Sequence, residues 1–156
     1  MRNESSTKLN ARLLRADAVD LTLVKIWSDN DDTGRHGVLI PVDAYGILGP
    51  WRAPFEQPAA NHTRSVQVEI RDLGRAARRS IAEKYYARYP ERRLTRLALG
   101  AGFRPEHRAC IFSRRKDTQG LLEIHPLSLT SRADRLLLDE VGLGQGLPGS
   151  WVLVRD

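Results

Sequence analysis

RDLGRAARRSIAEKYYARYPERRLTR, running from Arg71 to Arg96, is the stretch on which the fold turns. By intrinsic propensity its middle is helical: residues 75–88 are dominated by Arg, Ala, Glu and Lys, and Ile81, Tyr85 and Tyr89 recur at a spacing of four. Pro90 ends any such helix. The residues just before it behave differently. From Ser65 to Arg71, Val66, Val68 and Ile70 alternate with Gln67, Glu69 and Arg71, the pattern of a half-buried strand. On residues alone, helix and strand both stay open for 75–88.

The same stretch concentrates the charge. It holds Arg71, Arg75, Arg78, Arg79, Lys84, Arg88, Arg92, Arg93 and Arg96 against Asp72, Glu83 and Glu91, a net +6 that equals the formal charge of the whole chain. The remaining residues therefore balance to zero. Eight of these nine cations are arginine, whose planar fork pairs with phosphate and with guanine edges through two bonds. Tyr85, Tyr86 and Tyr89 lie among them and can stack or donate to phosphate. A basic focus on a balanced surface is the electrostatic footprint of a nucleic-acid binder; the competing reading is a solvated Arg-rich helix face.

The 156 residues and 41% hydrophobic content suit one domain with a single core and exclude wholesale disorder. No apolar run approaches a membrane span, and the start, MRNESSTKLN, is polar with no secretory core. Cys110, the single cysteine, sits in Ala-Cys-Ile-Phe and reads as a small buried residue in a reducing compartment. A cytoplasmic protein with no membrane contact is expected.

Along the chain, residues 1–10 read as a frayed polar start, within an N-terminal extension over 1–20 that precedes a domain over 21–156. Strands are expected at 21–27 (buried on both faces), 37–41, 65–71, 92–99, 109–113, 121–124 and 151–154. A short helix is expected over 42–48, between Pro41 and Gly49-Pro50, and an amphipathic one over 131–141. Asp29–Gly34 is a turn cluster, residues 50–62 an irregular connection and Leu143–Pro148 a Gly-rich loop. Many short strands with few helices predict a β-rich barrel or sandwich.

Catalytic readings fare badly. The nearest approach to a nuclease Glu-x-Lys is Glu69-Ile70-Arg71, with arginine for lysine and no Pro-Asp before it. His36, His62, His107 and His125 are scattered, and one cysteine builds no zinc cage. Gly142–Gly146 follows a helix instead of opening one, so it is no phosphate loop. No catalytic residue, metal or cofactor is expected.

Three segments carry a resemblance by their order and spacing. Asp31-Asp32-Thr33-Gly34 is followed by His36 and Val38–Pro41; Asn61-His62-Thr63-Arg64 precedes a strand; Tyr85-Tyr86 leads to Glu91-Arg92-Arg93-Leu94-Thr95-Arg96 and Gly100. Over roughly residues 20–150 the chain resembles the N-terminal B3-like effector domain of type IIE restriction endonucleases such as EcoRII and UbaLAI. The resemblance implies a mainly β fold, a B3-like seven-stranded open pseudobarrel with short flanking helices. It also implies double-stranded DNA as partner, gripped through the major groove by two arms like a wrench. The first arm is the loop at about 25–38 and the second the hairpin at about 84–96, which overrides the helical reading of 80–88 in favour of a strand. The tip Arg88-Tyr89-Pro90 and the loop before His36 are shorter here than in EcoRII.

Side chains in these arms offer the required chemistry. Arg92, Arg93 and Arg96 can each take guanine O6 and N7, Glu91 can accept from cytosine N4, Asp31 and Asp32 have the same acceptor capacity, and Asn30 can read adenine. Carboxylates repel phosphate, so their presence in both arms argues for base readout; the alternative for Glu91 and Asp32 is an ion pair or a turn cap. Arg35 and His36 can contact phosphate or a base. Lys25, a charge inside an apolar strand, either emerges at the DNA face or snorkels from the barrel rim. Thr33, in turn geometry, and Arg88 and Tyr89 at the hairpin tip complete the expected DNA-facing set. Arg71, Arg75, Arg78 and Arg79 are expected on phosphates. The implied target is CC, then A or T, then GG, with cleavage left to a nuclease domain elsewhere in a longer protein and the fragment itself a monomer. A small stand-alone nuclease and a basic protein-interaction module are the rival readings.

Overall fold

The computed structural model describes residues 7–13, 19–28, 31, 37–48, 62–86, 91–97, 102–115 and 121–155. In it the ambiguous stretch is strand: β3 (His62–Asp72) and β4 (Arg75–Tyr86) form one antiparallel hairpin, in register from His62 opposite Tyr85 to Asp72 opposite Arg75. The strand therefore begins at residue 75, earlier than the 80 expected. Leu73 and Gly74 join the two with φ of 50° and 81°, a two-residue turn whose twist matches the flanking strands. Along β4 the buried residues are Ile81, Glu83 and Tyr85, separated by the half-buried Ala82, Lys84 and Tyr86. The period is two, and a carboxylate at an inward position hides it from a hydrophobicity reading.

Around this hairpin lie β1 (Val19–Ile26), β2 (Val38–Ile40), β5 (Glu91–Thr95), β6 (His107–Arg115), β7 (Leu121–Ser128) and β8 (Trp151–Arg155). They make one curled, open sheet in the order β2-β5-β4-β3-β7-β6-β1-β8, with β3 and β7 the parallel pair. Eight strands stand where the resemblance implied seven, and the last of them pairs with Leu21–Lys25 of β1 at the edge of the sheet. The architecture is a B3-like pseudobarrel. A 3-10 helix over Val42–Leu48 and the helices α1 (Thr7–Leu13) and α2 (Arg132–Glu140) flank it. Among the described residues, no helix is long and apolar enough to cross a membrane.

Strands β1 and β6 are buried on both faces, as the apolar run at 21–27 predicts. Leu21, Leu23, Cys110 and Phe112 point into the curl, where they meet Val68, Ile70, Ile81, Leu94 and the 3-10 helix residues Ala44, Ile47 and Leu48. Val24, Ile26, Ala109 and Ile111 face the other way onto Leu9 and Leu13 of α1 and Leu137 and Leu138 of α2. Burial pushes the Cys110 thiol well up, consistent with an inert core residue. The polar start expected over 1–10 is in part helix: Leu9 and Leu13, 1% and 2% exposed, anchor α1. Arg12 fastens it by donating to Asp134 Oδ1 at 2.9 Å and to the Pro126 carbonyl at 3.2 Å. Ser131 caps α2 as its sequence position suggests, accepting from the Asp134 amide.

Leucine at φ 50° costs roughly 1–2 kcal/mol relative to a residue at ease in that region. Leu73 is 75% exposed, so nothing in the core is lost by changing it. Leu73→Asn, which creates the Asn-Gly pair this turn favours, is expected to stabilise the protein by about 0.5–1 kcal/mol in chemical denaturation. A neutral or destabilising result would contradict the hairpin.

Candidate nucleic-acid interface

The first arm leaves β1, seventh in the sheet, and returns in β2, which is first. A buried ion pair spans that gap. Lys25 Nζ lies 3.1 Å from Asp31 Oδ1 and 3.0 Å from Oδ2, and donates to the Leu39 carbonyl at 2.6 Å. Asp31 also accepts from the Ser28 amide at 2.9 Å, the Ser28 hydroxyl at 3.2 Å and the Leu39 amide at 2.9 Å. Both residues are buried, at 4% and 5% exposure. Desolvation lowers the Lys25 pKa, and Asp31 opposes that shift. One carboxylate thus ties Ser28, at the end of β1, to Leu39 of β2. Asn30, Asp32, Thr33, Arg35 and His36 lie outside the described residues.

The second arm is built on another buried cluster. Glu83, wholly buried, accepts from Arg92 Nε at 3.0 Å and Nη2 at 2.9 Å, and from Arg64 Nε at 3.1 Å and Nη2 at 2.8 Å. Arg92 is 4% exposed, with its guanidinium carbon 4.9 Å above the Tyr45 ring, and Arg64 also donates to the Leu48 carbonyl at 2.7 Å. The guanidinium expected to read guanine is therefore turned inward. It cannot reach a base edge without abandoning Glu83. Lys25 and Asp31 are in the same position: they hold the first arm's base rather than line its surface.

On β5 the alternate residues point outward. Glu91 and Arg93 share that face, joined at 3.0 Å, and Arg93 Nη1 donates to the Gly37 carbonyl at 3.1 Å, so the second arm touches the first. Gly37 has φ +81°, and a Cβ there would lie 2.6 Å from the Leu94 carbonyl oxygen; any other residue would push β2 off β5. Arg96 is exposed at φ 58°, ending β5 short of the Leu99 expected, while Arg79 holds the bend by donating to the Arg96 and Leu97 carbonyls. Arg88 and Tyr89 lie outside the described residues.

The arginines expected on phosphates divide. Arg71 and Arg78 bond Glu69 at 2.6 and 2.7 Å. Burial pushes the Glu69 carboxyl up, but those two bonds outweigh it and hold the group below the usual carboxylate range. Arg75 stands at the hairpin turn, about 35 Å along β4 from Tyr86 at roughly 3.3 Å per residue. Glu83 and Arg64 were missed by the sequence reading as functional residues. The available signal was Glu83 itself, a charge two residues from Ile81 and from Tyr85, which makes sense in a strand only if a partner is waiting inside.

Removing the centre of such a cluster leaves its partners uncompensated. Glu83→Ala is expected to destabilise the fold by about 3–5 kcal/mol in chemical denaturation. A loss under about 1 kcal/mol would mean that the cluster is solvated.

No protein-family model matches the chain, and no curated protein does. Among solved structures, the crystal structure of the UbaLAI restriction endonuclease B3 domain with cognate DNA is similar at 26% identity and a TM-score of 0.62. The match covers 97% of this chain and 98% of that one. Correspondence over nearly the full length of both, together with the curled open sheet described above, gives this chain a B3-like fold similar to that of a restriction endonuclease domain.

Proposed function

We propose that this chain recognises duplex DNA in a sequence-specific manner, as the effector or DNA-binding domain of a restriction endonuclease. The observation that carries the reading is the full-length likeness to a B3 domain crystallised with its cognate DNA. The two arms reach into the major groove from adjoining positions. Glu91 and Arg93, their side chains 34% and 13% exposed, stand side by side as an acceptor and a donor, a pairing suited to a C·G step once Arg93 turns from the Gly37 carbonyl toward the DNA. Arg96 adds an exposed cation at the end of the same strand. Asn30, Asp32, Thr33, Arg35, His36, Arg88 and Tyr89 are the further residues assigned to DNA contact. Lys25, Asp31 and Arg92 set the arms' positions from inside. The site is CC, then A or T, then GG. The domain acts as a monomer in the cytoplasm, cutting is done by a nuclease domain elsewhere in a longer protein, and no metal or cofactor takes part in binding.

A gel shift that compares a duplex carrying that site with a scrambled one tests the reading: preference for the first is expected, and equal binding would contradict it. Arg93→Ala and Glu91→Ala should each cost about 1–3 kcal/mol on the site and little on scrambled DNA. Mg²⁺-dependent nicking by the chain alone would favour a stand-alone nuclease instead.

A further inference from the structure

One surface runs from the second arm onto the strands beside it. On the face of the sheet that carries Glu91 and Arg93, the register sets Thr63 opposite Lys84 and Lys84 opposite Arg93, so a row of polar side chains crosses three strands from the second arm onto β3. Two residues along, Ser65 stands opposite Ala82, and Ser80 lies two further along β4. Thr63, Ser65, Ser80, Lys84 and Arg96 line a single open groove there. With Thr95, Arg64 and Arg79 also on its wall, four hydroxyls and four cations line it, and no carboxylate does. Neither Lys84 nor Arg96 enters an ion pair among the described residues. This contrasts with the far end of the same hairpin, where Glu69 occupies Arg71 and Arg78.

Hydroxyls and unpaired cations without carboxylates are the lining a sugar–phosphate backbone takes, since such contacts fix position without reading sequence. A surface that reads cytosine gains from a carboxylate acceptor, which Glu91 supplies next door but this groove lacks. Arg96 is held at a left-handed φ of 58° by Arg79 bonding its carbonyl, which keeps the bend at the groove's rim in one conformation.

We propose that this groove, which runs from the base of the second arm across β4 onto β3, is a phosphate-tracking site that extends the DNA footprint from that arm onto the flanking duplex. The proposal rests on the DNA-binding reading above. It is tested with Lys84→Ala, Ser65→Glu and Ser80→Glu in the full chain, by fluorescence anisotropy against long duplexes carrying CCAGG or a scrambled core, across a salt series. Lys84→Ala is expected to flatten the slope of log K against log salt by about one unit. Each glutamate should weaken binding to both duplexes about tenfold or more, leaving their ratio unchanged. Unaltered affinity and slope in all three variants would overturn the proposal while leaving the wild-type DNA reading intact. Loss of the preference for CCAGG would overturn it too, by making the groove a base reader. A wild-type chain that binds neither duplex would remove the DNA reading itself.

Discussion

The contact between Lys25 and Asp31 is the constraint on which the rest of the molecule depends. A curled sheet whose first and seventh strands are consecutive in sequence has an open side, and something must hold its two margins at a fixed spacing. Here an ammonium on β1 reaches across to the Leu39 carbonyl on β2, while the carboxylate between them takes donors from both margins. Taking two charges out of water costs several kcal/mol per ion unless nearly every lone pair and proton is used. Asp31 meets that condition with four donors. The arrangement is consequently close to all-or-none, since losing either partner strands the other in a dry site. The loop it anchors is then presented from a fixed base.

That base is shared. Strand β2 pairs with β5 from Val38 opposite Leu94 to Ile40 opposite Arg92, so the return strand of the first arm is a neighbour of the second. Arg92, one end of this register, is clamped to Glu83 and Arg64, and Arg93 reaches the Gly37 carbonyl. From Lys25 to Glu83 the chain of contacts is continuous. The bases of the two arms form one body, so Glu91 and Arg93 are set in advance relative to the first arm's base, an arrangement that lowers the ordering cost of any binding between the arms.

Much of this was legible before any coordinates. The strand at 65–71 announced itself through alternation, the strand at 121–124 through its turn-residue flanks and the helix at 131–141 through its amphipathic spacing. Two kinds of feature did not. Residues 75–86 carry helix-forming side chains, and Glu83 broke the apolar alternation that would have marked a strand; only its pairing across the sheet shows why a carboxylate belongs there. Helix α1 is too short to declare itself in isolation and owes its order to Leu9, Leu13 and Arg12 docking on α2 and β7. Within the arms, residue type alone cannot distinguish a charge that faces DNA from one that faces another charge. Arg92 and Arg93 are adjacent and chemically identical, and the pleat sends one inward to Glu83 and the other outward beside Glu91.

The most direct measurement is the map of backbone amide shifts in the ¹⁵N-labelled chain as a CCAGG duplex is titrated in. The account predicts the largest changes in residues 28–37 and 84–96 and on the outward face of β3 and β4 near Thr63. Helices α1 and α2, on the other side of β1 and β6, should stay unmoved. Changes centred on those helices, or absent from the first arm while present in the second, would contradict it.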